Sequence, residues 1–498
     1  MKRSRDNSNN NHPTQHELHH PSQSSPISRV PLELFTEILR HMVLLHFTEE
    51  INPSLKEAWQ RSFAWTRLSR VCHLWYNIIS HTPALWCYIR VTPHMRSETL
   101  REILLRSNQM PLSIILDYKS FVLPYDLRLT LAALRAQRHR IRALELSTCG
   151  VIYAATFSQF LAEFSCHAKT SQMRKLTLDL GNSHMTVHAP VIDSMCSILS
   201  RESFPQLSDL TVLGITWNAS MLRAGIQRDL RSLSLSGAAH WDVSPLLILT
   251  SLQELGCLQH LHLELHFTRC QDTQQTYNSI VNSKQPRACL DGLQELTVAV
   301  VGYGYASTAL VTMIDVPETC HTSIEFHGMH PSKTSILNAV QLIGGKFLSN
   351  VKDGKLPEFR SFRLATPCTD NPDTDISFAL WHEPITPGAK HIPKPMLSLK
   401  FPVKSGLVDL CYLEGQYKSF WDVCDERDIV DAWAATSSFD SITNVWFDVG
   451  KSKRPLDVNA WRQILGHMKA MAVLALSGCS QETTLVHHVG SFQRDPRD

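Results

Sequence analysis

A phrase of two aliphatic residues separated by one other recurs through the middle of this 498-residue chain, and it restricts the fold more than any other feature. IRALELS holds Leu144 and Leu146, MRKLTLD holds Leu176 and Leu178, and LSDLTVL holds Leu210 and Val212. LRSLSLS holds Leu233 and Leu235, LQHLHLE holds Leu261 and Leu263, and LQELTVA holds Leu296 and Val298. Residues two apart project to the same side of a strand. Each phrase is therefore one short strand with an inward pair that a single copy cannot bury, so the copies must stack on one another.

The segments between the phrases predict an outer layer of helices. Phe157, Phe160, Leu161 and Phe164 keep helical spacing, as do Val191, Ile192, Met195, Ile198 and Leu199. Strand, crossover helix and parallel strand is the unit this implies, wound right-handed. A β-sandwich competes, and helices between strands count against it. Ser97 to Ser107 reads as a helix with Ser97 as N-cap, and Pro111 to Leu116 as a buried strand. Beyond Val300 the phrase thins out: FRSFRLA (Phe362, Leu364), SITNVWFDV (Val445, Phe447) and MAVLALS (Leu474, Leu476) are late copies. Thr366 to Lys394 is Pro- and Asp-rich and reads as including a surface loop, while Trp461 to Met471 suggests a last helix. The steps between phrases, about 23 to 35 residues, straddle and mostly exceed the about 20–29 of regular leucine-rich repeats, so the expected fold is an irregular leucine-rich-repeat α/β solenoid over 97–480.

Upstream lies a stretch of different character. VPLELFTEIL opens it, and Pro31 suits a first helical turn, where its missing N–H costs nothing. Leu34, Phe35, Ile38, Leu39 and Met42 follow at three- and four-residue steps, which predicts an amphipathic helix. In FAWTRLSRVCHLWYNIISHTPALW the residues Trp65, Leu68, Val71, Cys72, Trp75, Ile78 and Ile79 repeat helical spacing until Thr82-Pro83 ends it, and Leu85 and Trp86 follow. The order Val30-Pro31-Leu32-Glu33-Leu34, Val71-Cys72-His73-Leu74-Trp75, Leu85-Trp86 resembles the F-box family, with its Leu-Pro opening, Val-Cys-x-x-Trp core and Leu-Trp close. Val30 stands where that family has Leu, and the excess length lies in His41 to Arg61. A divided F-box-like element of this kind is similar to one found in many fungal proteins, usually ahead of irregular leucine-rich repeats.

The resemblance implies that residues 29–92 form a short helical module holding a Skp-type adaptor of a cullin-RING ubiquitin ligase. Its adaptor-binding residues would be Val30, Pro31, Leu34, Phe35, Ile38, Leu68, Val71, Cys72, Trp75, Leu85 and Trp86. The repeats would then select an unknown protein substrate. Taken on periodicity alone, the same residues describe a two-helix core piece with no partner.

Composition limits the remaining classes. With 48 basic and 46 acidic residues the net charge is +2, too balanced to point to nucleic acid, and no basic stripe with interleaved aromatics occurs. The 13 cysteines are odd in number and none forms a Cys-x-x-Cys pair, which argues for reduced thiols over a disulfide framework or zinc ribbon. No apolar run suits a signal peptide or membrane span, so an intracellular protein, cytoplasmic and/or nuclear, is expected. Residues 1–28 are polar, rich in Asn, Ser, His and Gln, and read as a disordered tail, as does 481–498. His12, His16, His19 and His20 sit in that tail without the fixed geometry a metal site needs, so no metal is expected.

Enzyme motifs are missing from the sequence. Gly302-Tyr303-Gly304 lacks the third glycine and helix start of a phosphate loop, and no nucleophile elbow, zincin pair or P-loop occurs. The expectation is no catalytic residue and no cofactor. Trp217, Tyr303, Tyr305, Trp381 and Trp446 either line a recognition face or fill gaps between unequal repeats. The leading expectation is a substrate-recognition subunit of a Skp-cullin-F-box ligase; the alternative is a leucine-rich-repeat interaction scaffold with no ligase role.

Overall fold

A computed structural model describes residues 30–48, 63–118, 127–148, 159–160, 172–179, 204–214, 229–236, 243–266, 287–301, 305–327, 337–338, 340–346, 359, 361–365, 376–385, 392–401, 432, 441–449, 471, 473–478 and 485–488. Within these the protein is mixed α/β, built on one large, mostly parallel sheet with helices.

The first nine strands of that sheet run in chain order across it. They are β1 (Tyr88–Val91), β2 (Leu112–Tyr118), β3 (Ile141–Thr148), β4 (Lys175–Asp179), β5 (Asp209–Leu213), β6 (Ser232–Ser236), β7 (His260–His266), β9 (Glu295–Val301) and β11 (His321–His327), all parallel to their neighbours. Between them β8 (Ala288–Cys289) and β10 (Ile314–Asp315) form a separate two-stranded pair. Past β11 the order reverses. β14 (Leu397–Phe401) lies beside β11, then β13 (Ile376–Trp381) and β12 (Ser361–Ala365) follow antiparallel, and β15 (Asn444–Val449), β16 (Val473–Gly478) and β17 (Leu485–His488) complete the sheet of fifteen.

Register explains why the leucine phrases matter. Leu144, Leu176, Leu210, Leu233, Leu261 and Leu296 are direct partners across six strands, and so are Leu146, Leu178, Val212, Leu235, Leu263 and Val298. Two continuous aliphatic ladders result, and all twelve side chains are buried. Burying such a side chain contributes about 1.5–3 kcal/mol, and a slip of one residue would turn the whole pair outward, so the phrases set both the energy and the register. The same rows continue through Ile89 and Val91 in β1, Ile114 and Leu116 in β2, and Leu397 and Leu399 in β14. Strongly parallel pairing rules out the sandwich.

Helices among the described residues include α1 (Leu32–Thr48), α2 (His73–His81), α3 (Ser97–Arg106), α4 (Leu127–Ala136), α5 (Pro245–Gln253) and α6 (Tyr305–Thr312). Four expectations need correction. Trp65 and Leu68 lie on a 3-10 helix, Ala64–Arg70, and not on one helix continuous with Trp75, because Cys72 is fully extended and breaks the run. Ser97 is the first helical residue, and Arg96 is the cap position. The boundary at 92 cuts through the sheet, since β1 belongs to it. Leu485–His488, inside the polar tail expected over 481–498, is a strand paired with β16. Gln159 and Phe160 are helical and Phe160 is buried, but the rest of 157–164, all of 191–199 and the helix expected over Trp461 to Met471, apart from the non-helical Met471, lie outside the described residues, as do residues 1–28 and most of 481–498.

Two thiols and one amine give the fold an alkaline signature. Burial pushes the Cys87 and Cys320 thiols from 9.0 up to about 11, while burial lowers Lys346 from 10.5 to about 8 despite the nearby Asp315 carboxylate. A thiol whose folded pKa is raised contributes stability that is present below about pH 9 and is lost as pH climbs through about 11. Lys346 acts oppositely, since the unfolded chain holds its proton longer, so stability is gained between about pH 8 and 10.5. Denaturant midpoints should therefore pass a maximum near pH 9 and fall towards pH 11. A Cys87→Ala, Cys320→Ala double variant should lose part of that fall; an unchanged alkaline profile would refute the assignment.

Candidate functional site

The helices ahead of the sheet are built around aromatic contacts. Phe35 on α1 meets Trp75 on α2 with ring centroids 4.6 Å apart, and Trp65 meets Trp86 edge-on at 5.1 Å. The Trp86 indole N–H donates to the carbonyl of Ile79 at 2.7 Å, and the Arg106 guanidinium lies over its ring at 4.7 Å. Both the polar edge and the face of that indole are satisfied, as a buried Trp requires.

Helix α1 carries two apolar stripes. Phe35, Leu39 and Val43, at steps of four, are buried against the core. Leu34, Ile38 and Leu45 form a second line roughly 100° away around the helix, and these are 58%, 51% and 68% exposed. A helix that only closes its own core has no use for the second stripe. Val71 and Leu74 are also exposed, as are Leu32 and Tyr76. The Phe35–Trp75 contact brings the starts of α1 and α2 together. The patch is aliphatic, with Glu37 and Arg40 paired at 3.6 Å on the exposed side of the helix.

The residues expected to bind an adaptor thus fall into three groups. Pro31, Leu34, Ile38, Val71 and Cys72 are exposed. Val30, Leu68 and Trp75 are half-buried and rest on the core. Phe35, Leu85 and Trp86 are buried, Trp86 to 5% exposure, so they hold the helices together and offer no surface to a partner. Leu32, Leu45, Leu74 and Tyr76 are exposed as well and were not among the residues expected to bind. Leu45 stands seven residues after Ile38 on the same stripe, beyond Met42, the last residue whose spacing predicts the helix.

Of the aromatics considered for a recognition face, Trp381 is buried with its indole N–H donating to the carbonyl of Pro393 at 2.8 Å, which makes it a gap filler. Trp446 is half-buried in β15, and Trp217 and Tyr303 lie outside the described residues. Among the described residues no group of three or more His, Cys, Asp or Glu is set to hold a metal ion, and no helix is long and apolar enough to cross a membrane. Neither the family models nor the curated proteins contain a match to this chain.

Proposed function

We propose that the chain is a substrate-recognition subunit of a Skp-cullin-F-box type ubiquitin ligase. In this reading α1, the Ala64–Arg70 turn and α2 make an F-box-like module, and the parallel sheet with its flanking segments is an irregular leucine-rich-repeat solenoid that holds the protein to be modified. The observation that carries the proposal is the exposed stripe of Leu34, Ile38 and Leu45 on α1, together with the exposed Val71 and Leu74, in a segment whose anchors come in the family's order. An amphipathic helix pair with an unburied aliphatic face is suited to a hydrophobic groove on another protein. Ubiquitin transfer would be carried out by other subunits, with this chain supplying proximity and orientation and no active site.

Leu34→Asp and Ile38→Asp test this in the full chain. Each places a carboxylate in the middle of the proposed interface without touching the core, so capture of a purified Skp-type adaptor should fall by at least about tenfold while the melting temperature stays within a few degrees of wild type. Undiminished capture by both variants would refute the docking model. A wild-type chain that captures no adaptor would instead favour the repeat scaffold without a ligase role.

A further inference from the structure

The side of the sheet opposite the leucine ladders is polar and stays partly open to solvent. Along β4, β5 and β6 buried residues alternate strictly with half-buried or exposed ones, and the latter are Lys175, Thr177, Asp179, Asp209, Thr211, Leu213, Ser232, Ser234 and Ser236. The pattern continues through His260, His262 and Glu264 in β7, Glu295 and Thr297 in β9, and His321, Ser323 and Glu325 in β11. Register places His260, Glu295 and His321 in one row and His262, Thr297 and Ser323 in the next.

The charges on this side are biased. Asp179, Asp209, Glu264, Glu295 and Glu325 face it from β4 to β11, against Lys175 in the strands and Lys394 and Lys400 from the segment around β14, in a chain whose overall charge is slightly positive. Both downstream lysines are drawn to it: Lys394 Nζ lies 2.6 Å from Glu295 and Lys400 Nζ 2.6 Å from Glu325. The surface thus already gathers ammonium groups from its own chain over a floor of short hydroxyl side chains. Neighbouring strands are about 4.8 Å apart, so Asp179 to Glu264 spans about 14 Å and Glu264 to Glu325 about 10 Å, the reach of three or four residues of extended chain.

From this geometry we propose that the polar rows between β4 and β11 bind an extended protein segment carrying lysines or arginines at intervals of three or four residues. The proposal rests on the reading of the sheet as the target-holding part and names the chemistry of that target. Its cations meet Asp179, Asp209 and Glu264 and compete with Lys394 and Lys400 for Glu295 and Glu325, while Thr177, Thr211, Ser234 and Thr297 serve its backbone. Electrostatic complementarity of this kind decides which partner is accepted and how fast it arrives.

Histidines stand among the carboxylates of these rows. His260 Nδ1 lies 3.7 Å from Glu295 Oε2, and His321 Nδ1 is 3.1 Å from the carbonyl oxygen of Pro395. His262 sits between, with burial, the largest influence, opposing its charged form and Glu325 and Glu295 favouring it. Glu264 from its own strand, Glu295 from β9, Glu325 from β11 and Lys394 and Lys400 from beyond are the other charges facing this group.

Fluorescence anisotropy of the full chain with a labelled Arg-Ser-Gly repeat peptide tests this, with the Glu-Ser-Gly repeat as its sign-reversed control. The basic peptide should bind and the acidic one should not. Affinity should fall about tenfold in the Asp179→Asn, Glu264→Gln variant and rise in Lys175→Glu. Equal or stronger binding of the acidic peptide, no binding of either, or indifference to these substitutions would overturn the proposal. Adaptor capture by the same variants should be unchanged, so that failure here is separable from failure of the docking surface.

Discussion

Replacing Trp65 with alanine is expected to cost about 3–5 kcal/mol and to unlock α1 and α2 from the sheet. Trp65 is among the largest fully buried side chains, and its ring fills the space between Trp86 and the two helices. Nothing nearby is free to collapse into the void, because Trp86 is fixed by its bond to Ile79 and by Arg106. Hydrogen exchange over 32–48 and 73–91 should speed up by orders of magnitude, whereas exchange in β4–β7, buried by their own ladders, should change little. Leu34→Asp should behave in the opposite way. That variant leaves the core intact and should shift stability by no more than about 0.5 kcal/mol. If Trp65→Ala left exchange in α1 and α2 unaltered, the aromatic contacts would not be what holds these helices.

Asp117→Ala should be comparably damaging for an electrostatic reason. Arg90 and Asp117 face each other on neighbouring strands at 3.6 Å, with side chains only 8% and 10% exposed. The second Arg90 nitrogen donates to the carbonyl of Phe47 in the last turn of α1 at 2.9 Å. Removing the carboxylate leaves a guanidinium in a dry site, at a cost of about 3–5 kcal/mol. Replacing both partners with apolar residues, Arg90→Met with Asp117→Leu, should recover most of that loss, since what destabilises is the stranded charge. Denaturant titration of the two singles and the double measures the coupling. Additive losses, with the double worse than either single, would show that the pair is not acting as a unit.

How much of the fold was legible in the sequence depended on whether a residue's role repeats. The strands with leucine phrases were readable because a period of two, copied several times, fits little except stacked strands. β11 escaped because its inward pair is Thr322 and Ile324, which breaks the phrase although the register is kept. β13 and β14 escaped because the chain doubles back there through two antiparallel pairings, and Pro-rich flanks resemble a loop. β1 was masked by the helix-like residues just ahead of it. At the candidate site the anchors were found, but helical spacing could not separate the buried stripe of α1 from the exposed one. Phe35 satisfied the same spacing as Leu34 and Ile38 and is buried while they are exposed, and Leu85 and Trp86, placed only by the order of the anchors, are buried too.

The Arg90 contact to Phe47 also says where α1 stands. Ile89 and Val91 continue the aliphatic ladders, so Arg90, between them, projects to the other side of the sheet, the side of Glu145 and the polar rows. The last turn of α1 therefore lies over that side at β1, where Arg90, Ile115 and Asp117 are all buried. From β4 to β11 the residues in register with Arg90 are half-buried, so the first helix shields the sheet's first edge from the solvent that the later rows meet.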